Sequence, residues 1–231
     1  SASSGDNTIA WYENDGAANP SWTASDISYT ALGPRGIFLA DIDSDGDLDI
    51  ISASSGDNTI AWYENDGAAN PSWTAADIST TADGARNVFV ADIDSDGDLD
   101  IVSASHDDDT IAWYENDGNS DPSFTKNVIS TSADGARGVH IADIDSDGDL
   151  DIVSASRIDN KIAWYENDGA ANPSWSTTTI ATSAAGARDI HIADMDNDGD
   201  LDIVSASSGV DSIACYENDG AANPSWTATD I

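Results

Sequence analysis

Short apolar runs alternate along the chain with polar stretches rich in glycine and aspartate, and the pattern returns every 51 residues. Four apolar or β-branched stretches stand out in each period. The first is Gly36-Ile37-Phe38-Leu39-Ala40 and the second runs from Leu48 to Ser52. The third is Thr8-Ile9-Ala10-Trp11-Tyr12 in its earliest copy, and the fourth runs from Trp22 to Ile27. Ser-Gly-Asp-Asn precedes the third stretch, and Asn-Asp-Gly and Asn-Pro-Ser follow it. This punctuation predicts strands joined by tight turns. No segment carries a useful length of 3.6-residue apolar period, so helices are not expected. The second and third strands hold consecutive apolar residues, such as Ile50-Ile51. Neighbouring side chains of a strand point to opposite faces, so these strands should be covered on both. A four-stranded unit flanked by its own copies is the blade of a propeller.

The expected fold is therefore an all-β propeller of 51-residue, four-stranded blades. Residues 28–78, 79–129, 130–180 and 181–231 form four full blades, and residues 1–27 supply an extra half blade of third and fourth strands. Trp11, Trp62, Trp113 and Trp164 keep the spacing, with Cys215 in the fifth position. Residues 1–27 and 52–78 differ only at Ser25 against Ala76. Such likeness points to recent duplication, so identity between copies does not single out residues that matter. The half blade leaves an open edge, and an unpaired edge invites association. The half blade can form a partial fifth blade, pack on another chain or be an edge left by truncation; a homo-oligomer through it or a cut-down natural array is expected.

Composition narrows the partners. Forty-four acids face seven Lys and Arg, a formal net charge of −37. Nucleic acid is excluded, since phosphate binding needs a basic footprint, and docking on anionic lipid is disfavoured. No apolar run approaches the ~20 residues of a membrane-spanning helix. No secretory leader is visible, since Ser1 to Gly5 already lie inside a repeat. One cysteine rules out an intramolecular disulfide framework. Bound metal is the natural substitute as a source of stability.

The acids concentrate in one place. Between the first and second strands of each full blade stands Asp-Ile/Met-Asp-Ser/Asn-Asp-Gly-Asp-Leu-Asp. Its aspartates are Asp41, Asp43, Asp45, Asp47 and Asp49; Asp92, Asp94, Asp96, Asp98 and Asp100; Asp143, Asp145, Asp147, Asp149 and Asp151; and Asp194, Asp196, Asp198, Asp200 and Asp202. Calcium takes six to eight hard oxygens. Carboxylates at positions 1, 3 and 5 can converge on one ion while the glycine turns the backbone sharply. Position 7 would offer its carbonyl and position 9 would close the site. Ile42 and Leu48 are expected to point away and anchor the loop in the core. Without metal, two carboxylates about 4 Å apart repel by about 4 kcal/mol at an effective dielectric of 20. The plainer alternative is a solvated acidic turn. An EF-hand does not fit: it needs Glu at position 12 and flanking helices, whereas Ser52 stands there between strands. About four Ca²⁺ per chain are expected.

These residues resemble the FG-GAP, or VCBS-type, repeats, the family that includes the integrin α-chain propeller. The likeness rests on Gly36–Ala40, Asp41–Asp49, Ile50–Ser54 and Thr59–Tyr63, repeated in phase through residue 216. Ser-Ala-Ser stands where Gly-Ala-Pro would be, and Trp-Tyr-Glu-Asn-Asp-Gly is closer to the VCBS form. The resemblance implies a propeller with calcium between the first two strands of each blade. It also implies an extracellular or cell-surface setting, with adhesion, glycan binding or service as an accessory module of a secreted enzyme.

Other recurrent residues have two readings each. Arg35, Arg86, Arg137 and Arg188 precede the first strand, where a ring of arginines can bind an anionic ligand such as an acidic sugar, or each can pair with a nearby Asp. Trp22, Trp73, Trp175 and Trp226, with Phe124 in the same place once, are sugar platforms or blade packing. His140 and His191 replace Phe38 and Phe89, which suits packing better than catalysis. The turn between second and third strands diverges most between copies, as loop tips that drift or that bind both do. No catalytic constellation is legible, so no enzyme is expected. The function expected is a calcium-stabilised extracellular module that binds a glycan or a protein. A self-assembling surface layer or filament is the alternative.

Overall fold

The computed structural model describes residues 1–231, which form nineteen strands and no helix. Four antiparallel four-stranded sheets follow one another along the chain, preceded by a three-stranded sheet. In the first full sheet Pro34–Ala40, Asp49–Ser54, Thr59–Asn65 and Trp73–Ser79 pair in chain order. The small sheet consists of Ala2–Ser3, Thr8–Asn14 and Trp22–Ser28. It has the third and fourth strands of a blade and the tail of a second strand, but no inner strand. The architecture is an all-β propeller. The strands outrun the apolar pattern by one or two residues, because ladder pairing continues through polar positions such as Glu64 and Asn65.

Burial on both faces explains the consecutive apolar residues. Ile60 and Trp62 pack forward onto the next blade, in a core with Val88, Ile101 and Tyr114. Ala61 and Tyr63, between and beside them, pack backward with Ile9 and Ile50. Two further inter-blade cores repeat the arrangement around Trp113 and Trp164. Each core is made by two neighbouring blades, so no blade has a core of its own.

The inner strands curl about a common axis. Phe38, Phe89, His140 and His191 form a file of rings, with consecutive centroids 4.7, 4.5 and 5.1 Å apart. Burial, and then His191 beside it, hold the His140 imidazole below its ordinary pKa, as suits a packed ring. Backbones approach closely here: a Cβ on Gly36 would lie 2.9 Å from the Arg86 carbonyl oxygen. The first and last sheets do not hydrogen-bond to each other.

The end sheets correct one expectation. Ile42, Ile93 and Ile144 are buried as loop anchors, but Leu48 is 59% exposed. Leu99, Leu150 and Leu201 are half-buried against the inter-blade cores. Leu48 faces the small sheet, which lacks the inner strand that would cover it.

A buried asparagine latches each blade to the one before. Asn167, 2% exposed, donates through Nδ2 to Leu150 O in its own blade at 3.1 Å and to Ile93 O in the preceding acidic loop at 3.1 Å. Asn116 and Asn218 repeat this pair of bonds. Asn14, in the small sheet, is exposed and only accepts a bond from Gly16. Asn167→Ala should therefore lower stability by about 1–3 kcal/mol, the range for stranding buried carbonyls. Asn14→Ala should have a much smaller effect. Urea unfolding of both variants checks this, and equal losses would show that the latch contributes nothing.

Candidate metal centre

Each acidic loop is shaped by its own backbone. Position 4 adopts a left-handed conformation, φ near +60° at Ser44, Ser95 and Ser146 and +65° at Asn197. The glycine at position 6 follows at φ between +100° and +103°, which a side chain rarely adopts. The chain thus folds back on the first aspartate. Asp41 accepts from Asp45 N–H and Gly46 N–H, both at 3.0 Å, and Asp45 accepts from Asp47 N–H at 2.9 Å. The same bonds recur in the second and third loops.

The outcome is convergence of carboxylates. One oxygen from each of Asp41, Asp43 and Asp45 lies within 4.8 Å of the others, and Asp92, Asp94, Asp96 and Asp143, Asp145, Asp147 form equal triplets. In the fourth loop the triplet is Asp194, Asp196 and Asp202. There Asn197 N–H, not Asp198 N–H, bonds Asp194 Oδ1 at 2.7 Å, and Met195, where the other loops bury isoleucine, is exposed because no blade lies beyond it.

Position 9 clamps the loop in all four blades, and in the fourth it also joins the triplet. Asp49 is buried and accepts from Ile42 N–H at 3.2 Å with one oxygen and Asn65 N–H at 2.9 Å with the other. It ties the loop's second residue to the end of the third strand. Asp100, Asp151 and Asp202 make the same clamp. Position 7 turns out of the triplets. A Cβ on Gly67, Gly118, Gly169 or Gly220 would overlap the carboxylate of Asp47, Asp98, Asp149 or Asp200. The glycine of Asn-Asp-Gly therefore makes room for that carboxylate besides taking a positive φ. The asparagine of the same motif is the residue that sequence reasoning passed over. Nothing in the sequence marks it, since nearly every position of such similar copies repeats, and its reach into the preceding loop is a tertiary fact.

The donor set suits a hard cation. All converging atoms are carboxylate oxygens. Asp94 Oδ1 and Asp145 Oδ1 are buried with no hydrogen-bond donor, and a buried acceptor left unpaired requires an explanation. Burial first, then the neighbouring aspartate, raises the carboxyls of Asp43, Asp94 and Asp145 above their ordinary value. Burial pushes Asp100 and Asp151 up to about 7 against their backbone donors. A cation held by positions 1, 3 and 5 would relieve this cost.

Of the remaining sequence candidates, Trp73, Trp175 and Trp226 are half-buried against inter-blade cores, as is Phe124, while Trp22 on the small sheet is 60% exposed. Arg35, Arg86, Arg137 and Arg188 come together in one cavity, and none forms an ion pair with an aspartate.

The raised carboxyls fix a pH dependence. A folded-state pKa above the unfolded value means that the folded chain binds protons first, so metal-free stability rises as pH falls through about 7. The exposed turn acids Asp66, Asp117, Asp168 and Asp219 shift the opposite way, held low mainly by Ser hydroxyls and backbone donors, with Asp117 at about 2. Their contribution changes only below about pH 4. Calorimetry of metal-stripped protein should show a higher melting temperature at pH 5.5 than at pH 7.5, and added cation should raise it more at pH 7.5. A flat or falling metal-free trend on acidification would contradict this account of the loops.

Comparison with known proteins agrees with this geometry. The FG-GAP-like repeat matches residues 1–52, 41–103, 92–154 and 143–205, each time spanning an acidic loop or its approach. Among curated proteins, none matches. A protein from Lactobacillus plantarum superposes with a TM-score of 0.59 at 17% identity, over 91% of this chain and 58% of that one. The periplasmic gluconolactonase PpgL of Pseudomonas aeruginosa gives 0.63 at 12% identity, over 97% and 66%. The V. cholerae biofilm matrix protein Bap1 gives 0.53 at 19% identity, over 97% and 35%. At such identities the likeness is one of fold, and the chain spans 58% of the first of these proteins. With the repeat matched along residues 1–205, the chain belongs to the FG-GAP-like repeat family.

Proposed function

We propose that the chain is a calcium-stabilised propeller that acts outside the cell as a non-catalytic binding or adhesion module for a glycan or a protein. The observation that carries this reading is a cluster of three carboxylates in every full blade, the same 1, 3, 5 triplet in the first three and Asp194, Asp196 and Asp202 in the fourth, with the ninth-position aspartate clamping each loop to its third strand. A metal site repeated at every blade acts on the fold, whereas catalysis needs one distinct constellation. Calcium suits many flexible oxygens, while magnesium demands strict octahedral geometry and retains water. Four divalent cations would add eight positive charges to a net charge of −37. At a free calcium level of 100 times Kd each site contributes about 2.7 kcal/mol, and four together about 11 kcal/mol. That is comparable to the whole net stability of a typical domain. No helix is long and apolar enough to cross a membrane. The extracellular assignment is supported by the family likeness and by the matrix and periplasmic proteins that share the fold.

Self-assembly is the second reading, and one observation favours it. Apolar side chains are exposed towards both ends of the array: Tyr12 of the small sheet with Leu39 and Leu48 of the blade it leaves uncovered, and Met195 and Ile213 of the last blade. The equivalents of Ile213 and Met195 in the preceding blade, Ile162 and Ile144, are buried. A further blade or a second copy would cover these faces.

Thermal unfolding of metal-stripped protein, titrated with calcium and separately with magnesium, tests the proposal. Calcium should raise the midpoint by well over 10 °C, since about 1 kcal/mol moves a domain of this size by roughly 2–4 °C, and magnesium should raise it far less. No calcium shift would reduce the loops to acidic turns and overturn the reading. Light scattering in the same titration separates a monomer from a calcium-dependent assembly.

A further inference from the structure

Four of the seven basic residues of this acidic chain are gathered in one place. Arg35, Arg86, Arg137 and Arg188 line a single cavity of about 410 Å³ at the axis, together with Asn87, Asp189 and Ala206. Each arginine occupies the same position in its blade, a β-bulge near the start of the inner strand. Pro34 pairs with Ser54 and Gly36 with Ala53, so Arg35 has no partner between them, and Arg86, Arg137 and Arg188 repeat the irregularity. A bulge re-aims the side chain it carries, and here four bulges aim four guanidiniums at one space. The opposite end of the same strands leads into the acidic loops. Six residues at about 3.4 Å each put roughly 20 Å between the arginines and the first loop aspartates.

Asp107 acts on Arg86 from a distance, but no carboxylate is paired with the cluster. No carboxylate lies within ion-pair distance of any of the four guanidiniums. Asp189 lines the cavity, but its carboxylate accepts from Ile190 N–H at 3.0 Å. Arg35 Nε donates to Ser55 Oγ at 3.1 Å, whereas Arg86 Nε and Arg137 Nε are buried with no acceptor. Burial first, then the neighbouring arginines, lowers the Arg86 guanidinium and takes Arg137 down to about 10. Four like charges held together with orphaned donors, in a chain of 44 acids, form an arrangement that a ligand with anionic oxygens would complete. Guanidinium forks match carboxylate and sulfate-type oxygens in two-point contacts. The volume is at the lower end of the range for small-ligand sites, about 300–1,000 Å³.

We infer that the arginine-lined mouth of the axis is a binding site for an oxyanion ligand, of the sulfate-ester or carboxylate kind that acidic saccharides carry. The site names a ligand class for the binding-module reading, yet it stands on the arginines and not on the metal loops. Unliganded, the cluster is a source of repulsion. Replacing one member should therefore stabilise the free protein while it weakens binding.

The test is calorimetric titration of the calcium-loaded protein, at fixed ionic strength, with sodium sulfate, with a sulfated disaccharide and with the unsulfated disaccharide. Sulfate and the sulfated sugar should bind and the neutral sugar should not. Tighter binding of the sulfated sugar than of sulfate marks a saccharide as the ligand, and equal binding marks a free oxyanion. The Arg86→Gln, Arg137→Gln double variant should lose about tenfold or more in affinity, as expected for lost charge-assisted bonds. Arg188→Gln, at an exposed position, is a gentler second variant and should lose less. Binding that is undiminished in both variants, or absent from the wild type for both anions, would overturn the inference. A calcium-dependent melting shift would persist in either case, so this site can fail while the calcium reading stands.

Discussion

The buried aspartate at the end of each acidic loop is the interaction on which the rest of the structure depends. Its two oxygens accept one N–H from the loop and one from the end of the third strand, which fixes the loop against its own sheet. The asparagine that gives the second N–H also reaches, through its amide, into the loop of the preceding blade. Loop, blade and neighbouring blade are thus joined through two adjacent buried groups. The clamp is costly while the loop lacks a cation, since burial first, with the aspartate at loop position 3 adding to it, holds Asp100 and Asp151 near 7. A cation in the loop would favour the ionised clamp, and so would stabilise the joint between blades as well as the loop itself. This is why metal occupancy and inter-blade packing should respond together.

The arginines and the aspartate triplets are divided along the axis. The inner strand of every full blade begins beside an arginine and ends at an acidic loop, so repetition gathers the arginines at one mouth and the carboxylate triplets at the other. The division follows from register alone. Because all four blades run in the same sense, any residue placed once in the 51-residue unit is placed four times at the same height. A repeat architecture therefore amplifies single substitutions into rings. It does the same for the apolar file of Phe38, Phe89, His140 and His191 between the two mouths.

Much of this was legible in the sequence. Consecutive apolar residues in the second and third strands announced burial on both faces. The period of 51 with its four strands announced blades, and the spacing of aspartates around a glycine announced convergence. What could not be read was tertiary. The sequence does not say that the position 7 carboxylate leaves the triplet to fill the space beside Gly67, because that requires knowing that two turns of one blade meet. Nor does it say that the arginines lack partners, since the excess of acids made pairing the simplest expectation. The distance along the strand, which keeps the loop acids away from the arginines, appears only once the inner strands are laid side by side.

The end sheets show how far local sequence can determine environment. Residues 1–27 and 52–78 are the same but for one position, yet Tyr12 is exposed where Tyr63 is buried, and Asn14 is exposed where Asn65 donates to Leu48 O at 3.1 Å. The propensities, turns and strand pairing of the two copies are alike, down to the bulge between Ile9 and Ala10 and between Ile60 and Ala61. The blade's internal geometry is therefore local, while its burial belongs to the neighbour. Stability in such an array accumulates at interfaces, and an end blade is less stable than an inner one for want of a partner rather than for any defect in its sequence. The same reasoning applies to the fourth acidic loop. Met195 lacks the cover that Ile144 enjoys, and the loop's aspartates take a different grouping, so a cation here would be held least firmly of the four until a further blade packs against the loop.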